Sequence, residues 1–289
     1  MKTVVITGAT SGIGFAAAKS LAAQGARVIG VGHTQTNCDA AKAAIEAAVP
    51  DAKIMYISGD LSQRCDVNDV ADAVIAQMDE NGLDALINNV GAVRNWYTPT
   101  PEGYELQFAL NHLAGFLLAH RLWGFLKKAG GRVIFTGSNS HKKMRMHWSD
   151  VMFKEHYNCL LAYKQSKLCN MLFAAELNRR QSEVRAYVVD PGLVNTNIGN
   201  KQTGGVVSAF WKWRKKFGVS PDVVAQTYVY LSNQLPPPDG LYFHDCRACR
   251  YSKQADDVSD AKRLFQMSEQ LCGVSFGESE TKRQDEDRE

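Results

Sequence analysis

The chain has 289 residues, of which 45% are hydrophobic and 22% charged, with a formal net charge of +3. This composition is typical of a globular protein with a sizeable core, and so small a charge argues against nucleic acid as a partner. The seven cysteines are an odd number and predict reduced thiols. The first residues run directly into a strand pattern, which predicts no signal peptide, no transmembrane segment and a cytoplasmic location.

The amino-terminal stretch has the pattern of a dinucleotide-binding turn. A β-branched run from Thr3 to Ile6 ends at the segment TGATSGIG, residues 7–14, and an alanine-rich helical stretch follows to Gln24. Glycines at such a turn permit a tight bend and close approach of backbone amides to a pyrophosphate, which the positive end of the helix also attracts. The strand, glycine turn and helix together predict a nucleotide cofactor.

The end of the second predicted strand, Ala26 to Val31, indicates which nicotinamide cofactor is held. An acidic residue there would accept hydrogen bonds from the ribose hydroxyls. The chain instead has Gly32-His33-Thr34 and no carboxylate until Asp39. The sequence therefore favours NADP(H) over NAD(H), with His33 as a part-time cation for the 2′-phosphate.

Helical and strand patterns then alternate along the chain. Helices are predicted at 38–48 and 67–81, strands at 53–58, 84–88 and 132–135, and one long helical region at 103–129 with Asn111 in an apolar neighbourhood. Such alternation predicts an α/β fold with a doubly wound parallel sheet and helices on both faces. The strand ends deliver Asp60, the turn Asn89-Val90-Gly91 and Ser138 to one edge of the sheet.

A further helical run, Leu160 to Arg180, contains Tyr163 and Lys167. Residues four apart share one face of a helix, so the ammonium lies near the phenol. A free phenol has a pKa of about 10, and a fixed cation nearby favours the phenolate. The pair therefore predicts a proton-transfer device.

The carboxyl-terminal third predicts a strand at 185–189 ending at Asp190-Pro191-Gly192, a helix at 221–232, an edge strand at 241–243 and a last helix at 255–272. Between them, residues 193–220 lack clear periodicity, and 210–217 combine aromatic side chains with four cations. A packed surface helix, a substrate lid and a weak peripheral membrane contact all fit this stretch. Cys246 and Cys249 have a CxxC spacing, but no second pair completes a zinc site, so no metal is predicted.

Taken together, these residues resemble the short-chain dehydrogenase/reductase family, in the family's order and over nearly the whole chain. The motifs are TGATSGIG (7–14), Asp60, NNVG (88–91), Asn111, Ser138, YKQSK (163–167) and PGLVNT (191–196). Stretches at 101–118, 163–177, 240–246 and 252–273 are similar to its retinol dehydrogenase-like branch, which includes relatives of light-dependent protochlorophyllide reductase. The resemblance implies a single Rossmann-type domain at 1–277, and the almost wholly polar, charged composition of 278–289 predicts a disordered tail.

The resemblance also implies roles for particular residues. Tyr163 is the general acid/base, Lys167 lowers its pKa and holds the nicotinamide ribose, Ser138 stabilises the substrate oxygen, and Asn111 holds a water in the proton relay. Implied cofactor contacts come from Gly8, Thr10, Ser11, Gly12, Ile13, Gly14, His33, Asp60, Leu61, Asn88, Val90, Gly91, Tyr163, Lys167, Pro191, Gly192, Val194 and Thr196. The sequence departs from the family at Val90, where alanine is usual, and in lacking the amino-terminal apolar anchor common in membrane-bound retinol enzymes.

The predicted reaction is the NADP(H)-dependent interconversion of an apolar aldehyde or ketone and its alcohol. No protein side chain supplies hydride, so a nicotinamide cofactor is required. Two alternatives are a reductase of a conjugated carbon–carbon double bond and a cofactor-binding regulatory protein without chemistry. The presence of all four catalytic residue types favours an enzyme over the regulatory protein. The sequence leaves a homo-oligomer open.

Overall fold

A computed structural model of the chain describes residues 1–194 and 218–276. Within them the strands are β1 (Thr3–Thr7), β2 (Arg27–Gly32), β3 (Ile54–Ser58), β4 (Ala85–Asn88), β5 (Arg132–Thr136), β6 (Arg185–Val189), β7 (Tyr242–His244) and β8 (Arg247–Ala248). They form one sheet in the order β3-β2-β1-β4-β5-β6-β7-β8, parallel throughout except for the antiparallel pair β7–β8. The predicted doubly wound sheet is confirmed.

Helices cover both faces of this sheet. The α-helices are α1 (Gly12–Ala23), α2 (Gln35–Ala48), α3 (Arg64–Ile75), α4 (Leu106–Phe108), α5 (Ala114–Arg121), α6 (Trp123–Ala129), α7 (Cys159–Arg180), α8 (Pro221–Asn233) and α9 (Val258–Cys272). A π-helical segment, Ala109–Leu113, joins α4 to α5, and single 3₁₀ turns lie at Asn139–His141 and Lys253–Asp256.

Side chains on each strand point alternately to the two faces, so the sheet separates two cores. Val5 and Leu86 belong to the core that α3, α5, α7 and α9 cover. Val4 and Ile87 belong to the core beneath α1 and α8. Strands that are buried on both faces consist of nearly continuous runs of apolar residues, and the strands of this sequence show that pattern.

Helix α7 is buried on nearly all sides. Every residue from Gln165 to Leu177 is buried, because α9 packs along the side of α7 that neither the sheet nor the π segment covers. The rings of Phe116, Phe173 and Phe265 join α5, α7 and α9, with centroids 4.9 Å apart for Phe116–Phe173 and 5.6 Å for Phe173–Phe265. The carboxyl-terminal helix is therefore part of the core around α7.

Several predicted boundaries differ from the structure. The predicted edge strand at 241–243 is Tyr242–His244 and does not form the edge, because β8 pairs with its outer side. The predicted long helix at 103–129 is divided by the π segment and again at Leu122. Helix α2 starts at Gln35 rather than Cys38, since the Thr34 side chain accepts a hydrogen bond from the Asn37 N–H at 3.3 Å and caps it.

Helix α3 spans Arg64–Ile75, whereas the sequence predicts 67–81. Beyond Ile75, the N–H groups of Gln77 and Met78 bond the carbonyls of Val74 and Ile75 in tighter turns that end the helix. The last helix is a 3₁₀ turn followed by α9 rather than one run from Ala255.

None of the helices in the described residues is long and apolar enough to cross a membrane. The predicted tail at 278–289, most of the predicted lid at 193–220 and the predicted membrane contact at 210–217 lie outside the described residues.

Candidate active site

The candidate site lies along the carboxyl edge of the parallel strands, where the strand order reverses. Strand β1 pairs with β2 on one side and with β4 on the other. The loops that follow β1 and β4 therefore turn to opposite sides of the sheet and leave a crevice between them. In such sheets this crevice is the usual ligand-binding site. The glycine turn after β1, Asn89 after β4 and Ser138 after β5 all lie at this edge.

The glycine turn is closed so tightly that Gly14 has no room for a side chain. A Cβ on Gly14 would lie 2.3 Å from the Gly8 carbonyl oxygen and 2.5 Å from the Asn89 side-chain nitrogen. Gly8 itself has φ +64, a conformation that L side chains rarely adopt. The first turn of α1 has no acidic residue, so its N–H groups present an uncompensated positive end to the crevice.

This turn fits the diphosphate of a dinucleotide, which would be held by backbone amides between Gly8 and Gly14. Of the other predicted contacts here, Ser11 is exposed, and Thr10 and Ile13 are partly buried. Asn89 fixes the turn by donating from Nδ2 to the Thr7 and Gly8 carbonyls, at 3.1 and 3.3 Å. Tyr56 fixes it from the other side, donating from its hydroxyl to the Ala9 carbonyl at 2.9 Å.

The adenosine side of the crevice is bordered by His33 and Asp60. The exposed His33 ring places Nδ1 3.8 Å from Asp60 Oδ1. Burial alone would raise the pKa of Asp60, but hydrogen bonds from Ser62 and Gln63, together with nearby His33, hold it below its ordinary value. The Leu61 side chain is buried in the core, so only its backbone borders the crevice.

The predicted contact Asn88 points away from the crevice. Its side chain is buried against α5, with Nδ2 3.5 Å from the Gly115 carbonyl oxygen. The neighbouring Asn89 was not selected from the sequence, yet it links the two sides of the site. It contacts the glycine turn, and its Oδ1 accepts from the Thr136 hydroxyl at 3.3 Å. Successive residues at a strand end face opposite ways, and this rule could have separated the two asparagines.

Tyr163 and Lys167 lie on one face of α7, as predicted. The Lys167 ammonium is 5.6 Å from the Tyr163 ring centroid and donates to the Thr136 carbonyl oxygen at 2.8 Å. Among the described residues, no carboxylate forms an ion pair with Lys167. Burial lowers the pKa of Lys167 to about 8. The site thus contains a buried cation beside a phenol.

Asn111 lies in the π segment, the kind of helical irregularity often found at functional sites. Its Oδ1 accepts from the Ala92 N–H at 2.8 Å, and its Nδ2 donates to the Ala92 carbonyl at 3.1 Å and to Ser166 Oγ at 3.0 Å. A Cβ on Gly91 would lie 3.2 Å from Asn111 Oδ1 and 3.6 Å from Lys167 Nζ. The amide oxygen and the ammonium therefore border the same small space above Gly91.

Ser138 is positioned by the 3₁₀ turn that follows β5. Its Oγ accepts from the Ser140 N–H at 3.2 Å, which leaves the hydroxyl hydrogen for a different partner. The buried His141 ring lies with Nδ1 2.7 Å from the Ser138 carbonyl oxygen. Burial lowers the pKa of His141, although its bond to Ser138 opposes the shift. A neutral imidazole therefore fixes the backbone of Ser138.

The turn after β6 closes the other end of the crevice. Gly192 has φ +64, and its N–H donates to Asp190 Oδ1 at 2.9 Å, with Pro191 between them. Val194 pairs with Val219 in an isolated parallel bridge, which joins the ends of the described segments. The predicted contact Thr196 lies outside the described residues. Val90 and Gly91 border the crevice beside Gly8, whose Cβ would lie 3.2 Å from the Val90 Cα.

A nucleotide-binding turn beside a buried lysine and a partly buried tyrosine indicates an NAD(P)-dependent oxidoreductase, and comparisons with known proteins agree. A family model described as short chain dehydrogenase matches residues 2–205. Retinol dehydrogenase 12 of Bos taurus is 34% identical over 280 residues, covering 95% of this chain and 87% of that protein. Retinol dehydrogenase 14 of Homo sapiens is 33% identical over 304 residues, with coverages of 94% and 87%.

Solved structures give the same result for the fold. An uncharacterized protein from Mycobacterium paratuberculosis superposes with a TM-score of 0.74 at 30% identity, covering 96% of this chain and 95% of that chain. An alcohol dehydrogenase from the archaeon Thermococcus sibiricus, complexed with 5-hydroxy-NADP, superposes with a TM-score of 0.65 at 19% identity, covering 87% and 100%.

The chain therefore belongs to the short-chain dehydrogenase family and is an alcohol/carbonyl oxidoreductase. The predicted resemblance to the retinol dehydrogenase-like branch is confirmed.

Proposed function

We propose that the protein interconverts an apolar aldehyde or ketone and its alcohol with NADP(H), using Tyr163 as general acid/base. The observation that carries this proposal is the Lys167 ammonium, buried 5.6 Å from the Tyr163 ring centroid. A cation so placed favours the phenolate, the form in which tyrosine removes a proton from an alcohol. In the reverse direction the phenol donates a proton to the oxygen of the carbonyl compound.

The other polar groups of the site have complementary tasks in this proposal. The Ser138 hydroxyl donates to the substrate oxygen as negative charge develops on it. Asn111 and Lys167 border the space above Gly91, which offers an amide oxygen and an ammonium to a relay water. When bound, a nicotinamide cofactor would supply or accept the hydride. Backbone amides of the glycine turn would hold its diphosphate, and the Lys167 side chain would hold its nicotinamide ribose.

The preference for NADP(H) is supported by the end of β2. His33 is exposed beside the crevice, and its imidazole becomes cationic when it is protonated. A Cβ on Gly32 would lie 2.5 Å from both Cys38 Sγ and Thr10 Cγ2. The position that would carry a ribose-binding carboxylate is thus filled by neighbouring side chains.

The apolar character of the substrate is supported by α7 and by the relatives. The adjacent Leu160 and Leu161 remain 42% and 39% exposed in the first turn of α7. Leu160 precedes Tyr163 by three residues, so the two share one face of the helix. The similar proteins named retinol dehydrogenase suggest an extended apolar alcohol or aldehyde.

The test is a panel of aldehydes, ketones and conjugated enones, from short to long, assayed with NADPH and with NADH. We expect carbonyl reduction with NADPH, with kcat/KM rising with apolar chain length. Products reduced at the carbon–carbon double bond would favour the alternative reductase. Cofactor binding without turnover of any compound would favour the regulatory protein.

A further inference from the structure

A buried chain of polar side chains connects the carboxyl-terminal helix to the π segment. His112, adjacent to Asn111, is 0% exposed. Its Nε2 lies 3.0 Å from Ser268 Oγ on α9, and its Nδ1 lies 3.2 Å from Asn170 Oδ1 on α7. Asn170 Nδ2 in turn donates to the Asn111 carbonyl oxygen at 2.9 Å. His112, Asn170 and Ser268 have no role in the reaction described above.

The Asn170 amide determines which ring nitrogen of His112 carries the proton. Because the Asn170 amide nitrogen donates to Asn111, the amide oxygen faces the imidazole and must accept from it. His112 is therefore protonated on Nδ1. Its Nε2 faces Ser268 Oγ, whose hydroxyl also lies 2.8 Å from the Leu264 carbonyl oxygen and can donate to only one of the two at a time. Burial lowers the pKa of His112 to about 4, so the ring is neutral near neutral pH, with one donor and one acceptor.

The packing around His112 leaves its ring little freedom. The rings of Phe108 and Phe173 surround it, with centroids 5.4 and 6.2 Å from its own. A π segment is rare and occurs mostly as a single-turn bulge within α-helices, frequently at functional sites. The bond from Asn170 to the Asn111 carbonyl holds this bulge at the residue whose side chain binds Ala92.

We propose that His112 is a positioning residue that, through Asn170, fixes the π segment so that the Asn111 carboxamide lies over Ala92 and beside Lys167. Ser268 makes this placement depend on the docking of α9. The expected effect on turnover rests on the proposed reaction, in which Asn111 serves the proton relay. The placement of the Asn111 side chain does not rest on it, because the Ala92 N–H is bonded to Asn111 Oδ1 whether or not the enzyme turns over.

The first experiment measures hydrogen exchange at the Ala92 amide in the full-length protein without cofactor. His112→Phe keeps the aromatic volume and removes both hydrogen bonds, and we expect exchange at Ala92 to speed up about tenfold or more while that of Leu86 in β4 is unchanged. His120→Phe is the matched control. His120 also connects α5 to the carboxyl-terminal segment, with Nε2 3.0 Å from the Ser275 carbonyl oxygen, but has no bond to the Asn111 network.

A second variant covers the case in which His112→Phe fails to fold. Ser268→Ala removes only a hydroxyl, the group of α9 that lies 3.0 Å from His112 Nε2. We expect faster Ala92 exchange in this variant too, by a smaller factor. Ala92 exchange at the wild-type rate in a folded His112→Phe or in Ser268→Ala would overturn the proposal, as would an equal acceleration in His120→Phe.

The second experiment is a double-mutant cycle in turnover. With wild-type Asn111, we expect His112→Phe to lower kcat about tenfold and leave the Kd for NADPH within about twofold. In an Asn111→Ala protein the same substitution should change kcat by less than about twofold, since its effect passes through Asn111. If His112→Phe lowers kcat by the same factor in the wild-type and the Asn111→Ala backgrounds, a positioning role is contradicted. If the wild type shows no turnover, the proposed function is wrong, but the positioning role of His112 is still tested by hydrogen exchange at Ala92, which needs no turnover.

Discussion

Replacing Lys167 with methionine tests whether the site contains a cation that folding disfavours. Methionine has a similar length and no charge, so Lys167→Met removes the ammonium and its bond to the Thr136 carbonyl while keeping most of the packing. The buried side chain is 2% exposed. We expect turnover to fall by about 10²-fold or more and cofactor affinity to weaken, because the cation serves both the phenol and the ribose in the proposed reaction.

The effect on stability has a magnitude and a sign that follow from the pKa. Burial lowers the pKa of Lys167 from 10.5 to about 8, a shift worth roughly 3 kcal/mol. Below pH 8 the folded and unfolded chains both carry the proton, and the folded chain pays the burial cost. Between pH 8 and 10.5 the unfolded chain binds more protons, so the stability of the wild type rises with pH across this window relative to Lys167→Met.

At pH 7 the two proteins should differ by no more than about 2 kcal/mol, since the lost burial cost offsets the lost bond from the charged group to Thr136. The assay is urea unfolding at pH values from 7 to 10.5, taking the difference in the free energy of unfolding so that other titrations cancel. Lys164→Met, on the same helix and only partly buried, is the control and should show no such trend. A wild-type minus Lys167→Met difference that stays flat across this range would refute the reasoning.

Two further predictions concern the cofactor. NADPH should bind more tightly than NADH. His33→Asp should move the preference towards NADH, and a ratio of the two Kd values unaffected by this substitution would reject the assignment. Gly32→Asp is unsuitable for this test because its Cβ would lie 2.5 Å from Thr10 Cγ2. Tyr56→Phe, which removes the hydroxyl that holds the Ala9 carbonyl, should raise the Kd for both cofactors by roughly the equivalent of 1 kcal/mol with kcat unchanged. Titration by fluorescence measures each Kd, and an unchanged Kd would show that the hydroxyl does not support the turn.

Much of the site was predictable because its residues lie at strand ends or on one helix face. Gly8, Asp60 and Ser138 each follow a strand, and parallel strands bring their carboxyl ends to one edge. Tyr163 and Lys167 are related by the period of a single helix. Such local rules need no knowledge of how distant elements pack.

The features that were missed depend on packing between distant elements. The π segment around Asn111 breaks a predicted continuous helix, and it is supported by Asn170 on α7 and, through His112, by Ser268 on α9. Strand β8 has two residues, too few for a sequence pattern. The adjacent Asn88 and Asn89 differ only in the direction of their side chains, which their residue type does not show.

The central claim is that Tyr163 transfers the proton, and Tyr163→Phe tests it most directly because only the hydroxyl is removed. With the best substrate of the panel and saturating NADPH, we expect the single-turnover rate of this variant to fall about 10²- to 10⁴-fold. The Kd for NADPH should stay close to that of the wild type, since the ring and Lys167 remain. A Tyr163→Phe protein that binds NADPH normally and reduces the substrate within about threefold of the wild-type rate would contradict the account.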